Sequence, residues 1–333
     1  MVLSRKKDGF ISIDKMKGQK INKNSFMKLV CKGLIIAFIL VISIKDGFGQ
    51  QDPQYTQYMF NTMSINPAYA GSKEDISISA LARSQWIGIS GAPETQTLSF
   101  HSPIGFSGIG IGLNLINDKL GPSQEIYFDA NVSYTIKTSD KAKLAFGLRL
   151  GGRSLNLDWS KGKYHNPADV VFNNNVNNRF LPTLGAGLYY YTDKWYAGLS
   201  VPNFLRTDHY DDFLESTAVE RLHYFFIAGY VFDLSESVKF KPAVLSKVVA
   251  GAPLSIDLSA NFLFNEKFNL GVAYRWDDSI STILGFQITD KLNLGYAYDL
   301  TTSNYQNYNS GTHEVVLTLN VLRSPKLKSS RFF

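Results

Sequence analysis

Five histidines, at His101, His165, His209, His223 and His313, are the first place to look for acid–base or nucleophilic chemistry in this sequence. A hydrolytic site needs a serine hydroxyl, a histidine to take its proton and a third group to orient the ring. His101 has hydroxyls on its own face of the chain, at Thr95, Thr97 and Ser99, but no G-x-S-x-G turn occurs. That face reads as a hydrogen-bonded polar surface. His313-Glu314 opens a strand-like segment and reads as rim or lumen polarity. A metal centre needs clustered ligands. The one cluster, Asp208-His209-Tyr210-Asp211-Asp212, reads as a solvated acidic loop. No enzyme activity, cofactor or metal is expected.

Contact chemistry is better represented. Residues 50–73 carry Tyr55, Tyr58, Met59, Phe60, Met63 and Tyr69, with Pro53 and Pro67 opposing regular structure. Aromatic and methionine side chains outside a core mark interfaces. The same residues would equally fill an enclosed space, and both readings stand. A second candidate is the asparagine-rich stretch from Asn166 to Asn178, where Val170, Val171 and Phe172 could dock a partner. The last residues, 324–333, hold Lys326, Lys328 and Arg331 and end in Phe332-Phe333. They read as a periplasmic tail.

The elements between these candidates are strands. In Phe268–Asp277, Phe268, Leu270, Val272, Tyr274 and Trp276 alternate with Asn269, Gly271, Ala273, Arg275 and Asp277. A strand puts the two sets on opposite faces. Fourteen such segments lie within residues 74–323. Their approximate spans are 74–84, 94–103, 107–117, 124–137, 141–153, 182–192, 194–202, 221–234, 236–246, 254–264, 267–277, 280–289, 291–299 and 312–323. The eighth is aromatic on both faces and alternates poorly. Tyr127, Tyr134, Tyr189, Tyr190, Trp195, Tyr274, Trp276, Tyr296 and Tyr298 lie towards strand ends, as interfacial girdles require. Tight polar turns follow strands 4, 6, 8, 10 and 12, and longer connections follow strands 1, 5, 7, 9 and 13. Alternation, even strand count and turn asymmetry together describe an all-β, transmembrane antiparallel β-barrel of the outer-membrane type, with both termini periplasmic.

The N-terminus agrees with that location. The apolar run Gly33–Ile44 is too short for a membrane helix, follows Lys28 and Lys32, and is followed by Gly47 and Gly49. Residues 1–49 therefore read as a secretory signal peptide, with Met16 and Met27 as alternative starts. They hold 10 Lys/Arg and 3 Asp/Glu, leaving 24 and 25 of the chain's 34 and 28. The basic excess belongs to the leader, so a nucleic-acid partner is not expected. The single cysteine, Cys31, also lies there.

One further pattern is specific. Gln51-Asp52-Pro53-Gln54-Tyr55-Thr56-Gln57-Tyr58-Met59-Phe60-Asn61 is followed by Asn66-Pro67-Ala68-Tyr69-Ala70-Gly71. Arg83-Ser84-Gln85-Trp86, Gly295-Tyr296-Ala297-Tyr298-Asp299 and Ser310-Gly311-Thr312-His313-Glu314 come later. This set resembles the PorP/SprF family of outer-membrane proteins, part of the type IX secretion and gliding machinery of Bacteroidetes. The resemblance implies a non-enzymatic role in secretion or surface anchoring of a cargo protein, such as a gliding adhesin. It implies partners in the cargo's C-terminal sorting domain, the periplasmic lipoprotein ring and outer-membrane lipid. On that reading the candidate contact residues are Tyr55, Tyr58, Met59, Phe60, Asn66, Pro67, Tyr69, Arg83, Trp86, Val170, Val171 and Phe172. The alternative function is a passive porin or solute channel.

Overall fold

The computed structural model describes residues 53–73, 75–105, 107–161, 175–205 and 221–321. The expected signal peptide, the Val170–Phe172 loop and the 324–333 tail lie outside them, as do the termini expected in the periplasm. Fourteen antiparallel strands form one ring. They are β1 (Ile76–Ser84), β2 (Glu94–Ile104), β3 (Ile109–Leu120), β4 (Ser123–Lys137), β5 (Lys143–Leu157), β6 (Val176–Tyr191) and β7 (Trp195–Val201). Then come β8 (His223–Tyr230), β9 (Val238–Val249), β10 (Ser255–Phe264), β11 (Phe268–Arg275), β12 (Ser279–Gln287), β13 (Leu292–Thr301) and β14 (Thr312–Val321). Past a break at Val231, β8 resumes at Phe232–Asp233 and pairs with β9 in unbroken register. The ring closes where β14 pairs with β1, from Ile76 opposite Val321 to Ser84 opposite His313. Among the described residues no edge strand is left open, which is what a sheet in hydrocarbon requires.

The polarity is that of a membrane barrel. Leu148 on β5 is 64% exposed and Leu150 68%, while Arg149 between them is buried. Phe128, Val132, Leu184, Leu258 and Val272 also face outward on their strands. Asp129, Asn131, Asn261 and Asn269 point into the lumen. Phe232, Phe240 and Phe262 form one run of ring contacts, and Phe264, Phe268 and Phe286 a second, at one end of the barrel from β8 to β12. This matches an interfacial aromatic girdle.

A girdle expectation is corrected. Tyr189 is buried in the lumen among Tyr69, Tyr191 and Tyr196. The poor alternation of β8 also has a cause, because Phe225 and Ile227 face a lumen with an apolar filling. The sixth strand starts earlier than its sequence suggests, at Val176. An irregular register between Leu155 and Leu157 and a positive φ at Asn178 let it extend through the asparagine-rich stretch.

The two mouths differ. At one, which we call the turn mouth, the connections are 105–108, 138–142, 192–194, 234–237, 265–267 and 288–291. At the other, the loop mouth, they include 85–93, 158–175, 202–222 and 302–311.

The outward leucines allow a test. Leu148→Arg would be nearly neutral on the wet face of a soluble sandwich. On a lipid face it costs about 2–4 kcal/mol near the midplane. We expect a matching fall in the urea midpoint of protein folded into lipid vesicles. An unchanged midpoint would count against a lipid-facing β5.

Candidate functional site

Residues 54–72 do not lie outside the barrel. They run through it, in three short turns at Tyr58–Phe60, Thr62–Ile65 (α1) and Pro67–Tyr69. Tyr55, Tyr58, Met59, Phe60, Met63 and Tyr69 form one apolar cluster with Leu81, Tyr189, Phe225, Ile227, Leu245 and Ile283 of the wall. Five of the expected contact residues therefore touch the inside of this chain's own barrel, and Asn66 and Pro67 are buried with them.

Ionic and polar contacts fix the segment in place. Arg83 on β1 lies directly opposite Glu314 on β14 at the closing seam. Its guanidinium contacts Glu314 at 2.9 Å and Asp299 of β13 at 2.8 Å. Glu314 is wholly buried and accepts the backbone N–H groups of Thr56 at 2.9 Å and Gln57 at 2.7 Å. The Thr56 hydroxyl donates to Asp299 at 2.7 Å and lies 2.9 Å from Nη1 of Arg83. A second pair, Arg275 on β11 with Asp257 on β10 at 2.7 Å, reaches the Tyr55 carbonyl. Charge-assisted bonds of this length are roughly twice as strong as neutral ones.

The middle of the segment is held at a helix end. Arg149 on β5 donates to the Met63 and Ser64 carbonyls, each at 2.7 Å, while Asn131 accepts from its Nε. The last carbonyls of a helix have no partner within it, and here the wall provides them. Ser200 donates to the Ile65 carbonyl and Ser133 to the Ala70 carbonyl. Asn66 does two jobs. Its Oδ1 accepts the Ala68 N–H as a cap, and its Nδ2 donates to the Leu188 carbonyl of β6.

Lumen-facing glycines set the fit. A Cβ at Gly147 would overlap the Ala68 backbone, one at Gly187 the Asn66 side chain, and one at Gly110 the Ala70 carbonyl. The wall is bare where the segment lies against it.

The remaining expected residues divide. Arg83 is 3% exposed and is spent on the seam and the segment. Trp86 sits in the 85–93 loop with a positive φ, stacked on Tyr305 of the 302–311 loop with centroids 5.6 Å apart. Backbone bonds from Ile87 to Gly311 and from Ser310 to Ile87 tie the two loops together. Tyr308 beside them is 74% exposed. Trp86 is thus the one described candidate beside an open surface. His101 is buried with its ring edge-on to Tyr69, and His313 shares a hydrogen bond with the Tyr296 hydroxyl. Sequence reasoning missed Thr56, Gln57, Asp257 and Asp299 as site residues. The usable signal was a charge on the inward face of a strand whose neighbours at i±1 are apolar, as at Asp299 and Arg149.

Residues 47–319 match the sequence profile described as type IX secretion system membrane protein PorP/SprF. A comparison with functionally curated proteins returned no match. Among solved structures the fold is similar to the outer membrane protein Omp33 of Acinetobacter baumannii, at 6% identity over 75% of this chain and 100% of that one, with a TM-score of 0.46. It is also similar to the toluene transporter TodX of Pseudomonas putida, at 10% identity over 84% and 97%, with a TM-score of 0.47.

Two substitutions test the site. Arg83→Met leaves two buried carboxylates without their cation, and breaking a buried pair this way costs about 3–5 kcal/mol. We expect a large drop in the temperature at which the compact band is lost on a semi-native gel, partly restored by adding Glu314→Leu. Gly147→Val places a side chain where Ala68 lies. It should expose the 54–72 segment to added protease while the barrel band persists. A segment as resistant as wild type would show that it does not pack there.

Proposed function

Because the chain belongs to the PorP/SprF family of type IX secretion system membrane proteins, we propose that it serves that system as a docking barrel. It is an outer-membrane protein, and its family is one of secretion-system barrels rather than of enzymes. In this reading a secreted cargo protein is received or anchored at the barrel through its C-terminal sorting domain, and the periplasmic lipoprotein ring is contacted at the opposite mouth.

The observation that carries this reading is the filled lumen. A passive channel needs an open, water-filled path. Here the bore is crossed by a segment whose residues from Tyr55 to Ala70 are all buried. A barrel whose interior is spent on its own chain offers its mouths to partners. The paired 85–93 and 302–311 loops, with Trp86, Tyr305 and Tyr308, supply aromatic surface of the kind enriched at interfaces. The 158–175 connection, which carries Val170, Val171 and Phe172, starts at the same mouth. For the ring, the short turns of the other mouth offer a flatter surface.

Two measurements test the reading together. Purified protein in a planar bilayer should give no large, stable conductance, and the Gly147→Val variant should give more than wild type. A surface protein with a C-terminal sorting domain should co-purify from native membranes, and Trp86→Ala with Tyr308→Ala should weaken that capture at least tenfold. Steady wild-type channels without cargo capture would favour the passive porin.

A further inference from the structure

The direction of the lumen segment has a topological meaning. Gln54 is bonded to Lys247, Ser255 and Asp257, with its amide oxygen 3.3 Å from Lys247 Nζ and its amide nitrogen 3.2 Å from Ser255 Oγ. Lys247 and Ser255 are cross-strand partners at the end of β9 and the start of β10. That end is the loop mouth. Sixteen residues later, Ala70 is bonded to Ser133 near the end of β4, and Gly71 turns with φ +66 against Pro103 and Gly110. That end is the turn mouth. There Ile76 opens β1 opposite Val321, where β14 finishes. The segment therefore passes through the whole bore, and Gln54 and Val321 lie at opposite mouths.

The length allows it. An extended chain spans about 3.3 Å per residue, and the apolar band of an outer-membrane barrel is about 25 Å tall. The residues between Gln54 and Ala70 cross that height with enough left for three helical turns.

Outer-membrane barrels carry short turns inside and longer loops outside. Every turn-mouth connection here is short, and the longest connections, 85–93, 158–175, 202–222 and 302–311, all join strand ends at the loop mouth. We infer that the protein is threaded: the chain enters its own lumen from the extracellular side, at Pro53–Gln54, and leaves on the periplasmic side to begin β1. The amino-terminal end of the lumen segment then lies at the extracellular mouth, the mouth that also carries the Trp86–Tyr305 stack. It is available to a surface partner, while the end of β14 faces the periplasm. This rests on the outer-membrane location and the two mouths, not on cargo capture.

Cysteine labelling decides it. With Cys31→Ser as background no other cysteine is present. Pro53→Cys marks the segment's entrance, Tyr308→Cys the loop mouth and Asp140→Cys the turn mouth. Intact cells are treated with a membrane-impermeant maleimide. The expected result is labelling of Pro53→Cys and Tyr308→Cys in intact cells, and of Asp140→Cys only after the outer membrane is permeabilised. If Pro53→Cys behaves like Asp140→Cys, the threading is wrong. If Asp140→Cys is labelled outside and Tyr308→Cys is not, the orientation is wrong. Gln54→Cys reads the same mouth should Pro53→Cys not assemble.

Discussion

The carboxylate of Glu314 is the constraint on which the rest of the structure depends. It is fully buried, and it answers to two other parts of the chain at once. It pairs with Arg83 across the seam that closes the ring, and it accepts two backbone N–H groups from the lumen segment. A buried charge without such partners would be costly enough to unfold or protonate. The barrel seam and the lumen filling are therefore satisfied by one group. Asp299 repeats the arrangement from the next strand, taking the Thr56 hydroxyl and the other side of the Arg83 guanidinium. First strand, last two strands and preceding segment meet at a single cluster.

The wall is built around the same segment. A barrel of this size encloses more space than its own inward side chains fill, and the sequence supplies small inward residues where large ones would be expected. Gly110, Gly147 and Gly187 make sense only with Ala70, Ala68 and Asn66 lying against them. Arg149 works in the same way, since its long side chain ends on the carbonyls of α1 rather than in open water. Ser133 and Ser200 likewise end on peptide carbonyls of the segment.

Much of this was legible in the sequence, and the limits are instructive. Period-2 alternation located the strands to within a few residues, because hydrocarbon on one side imposes a strict apolar face. It failed where that contrast weakens. On β8 and at Tyr189 the lumen is apolar too, so both faces read alike. At the start of β6, polar asparagines form a strand above the apolar band, where the lipid no longer writes the pattern. The segment at 54–72 was recognisable as unusual, but its place was ambiguous. An aromatic-rich stretch reads the same whether it is covered by a partner or by its own barrel. Arg83 and its partner Glu314 both stood in the quoted motifs, but nothing local showed that they pair. The pairing of residues 231 positions apart depends on ring closure, which no local pattern encodes.

The short link between Gly71 and Ile76 has a kinetic consequence. It ties the lumen segment covalently to the first strand, so the segment stays close to its site even when every bond to it is broken. For a tether of this length the local concentration is on the order of millimolar. An opening of the bore would then be brief and self-reversing. Any foreign peptide competing for the same carboxylates and glycine shelf would have to outbid a ligand that never diffuses away.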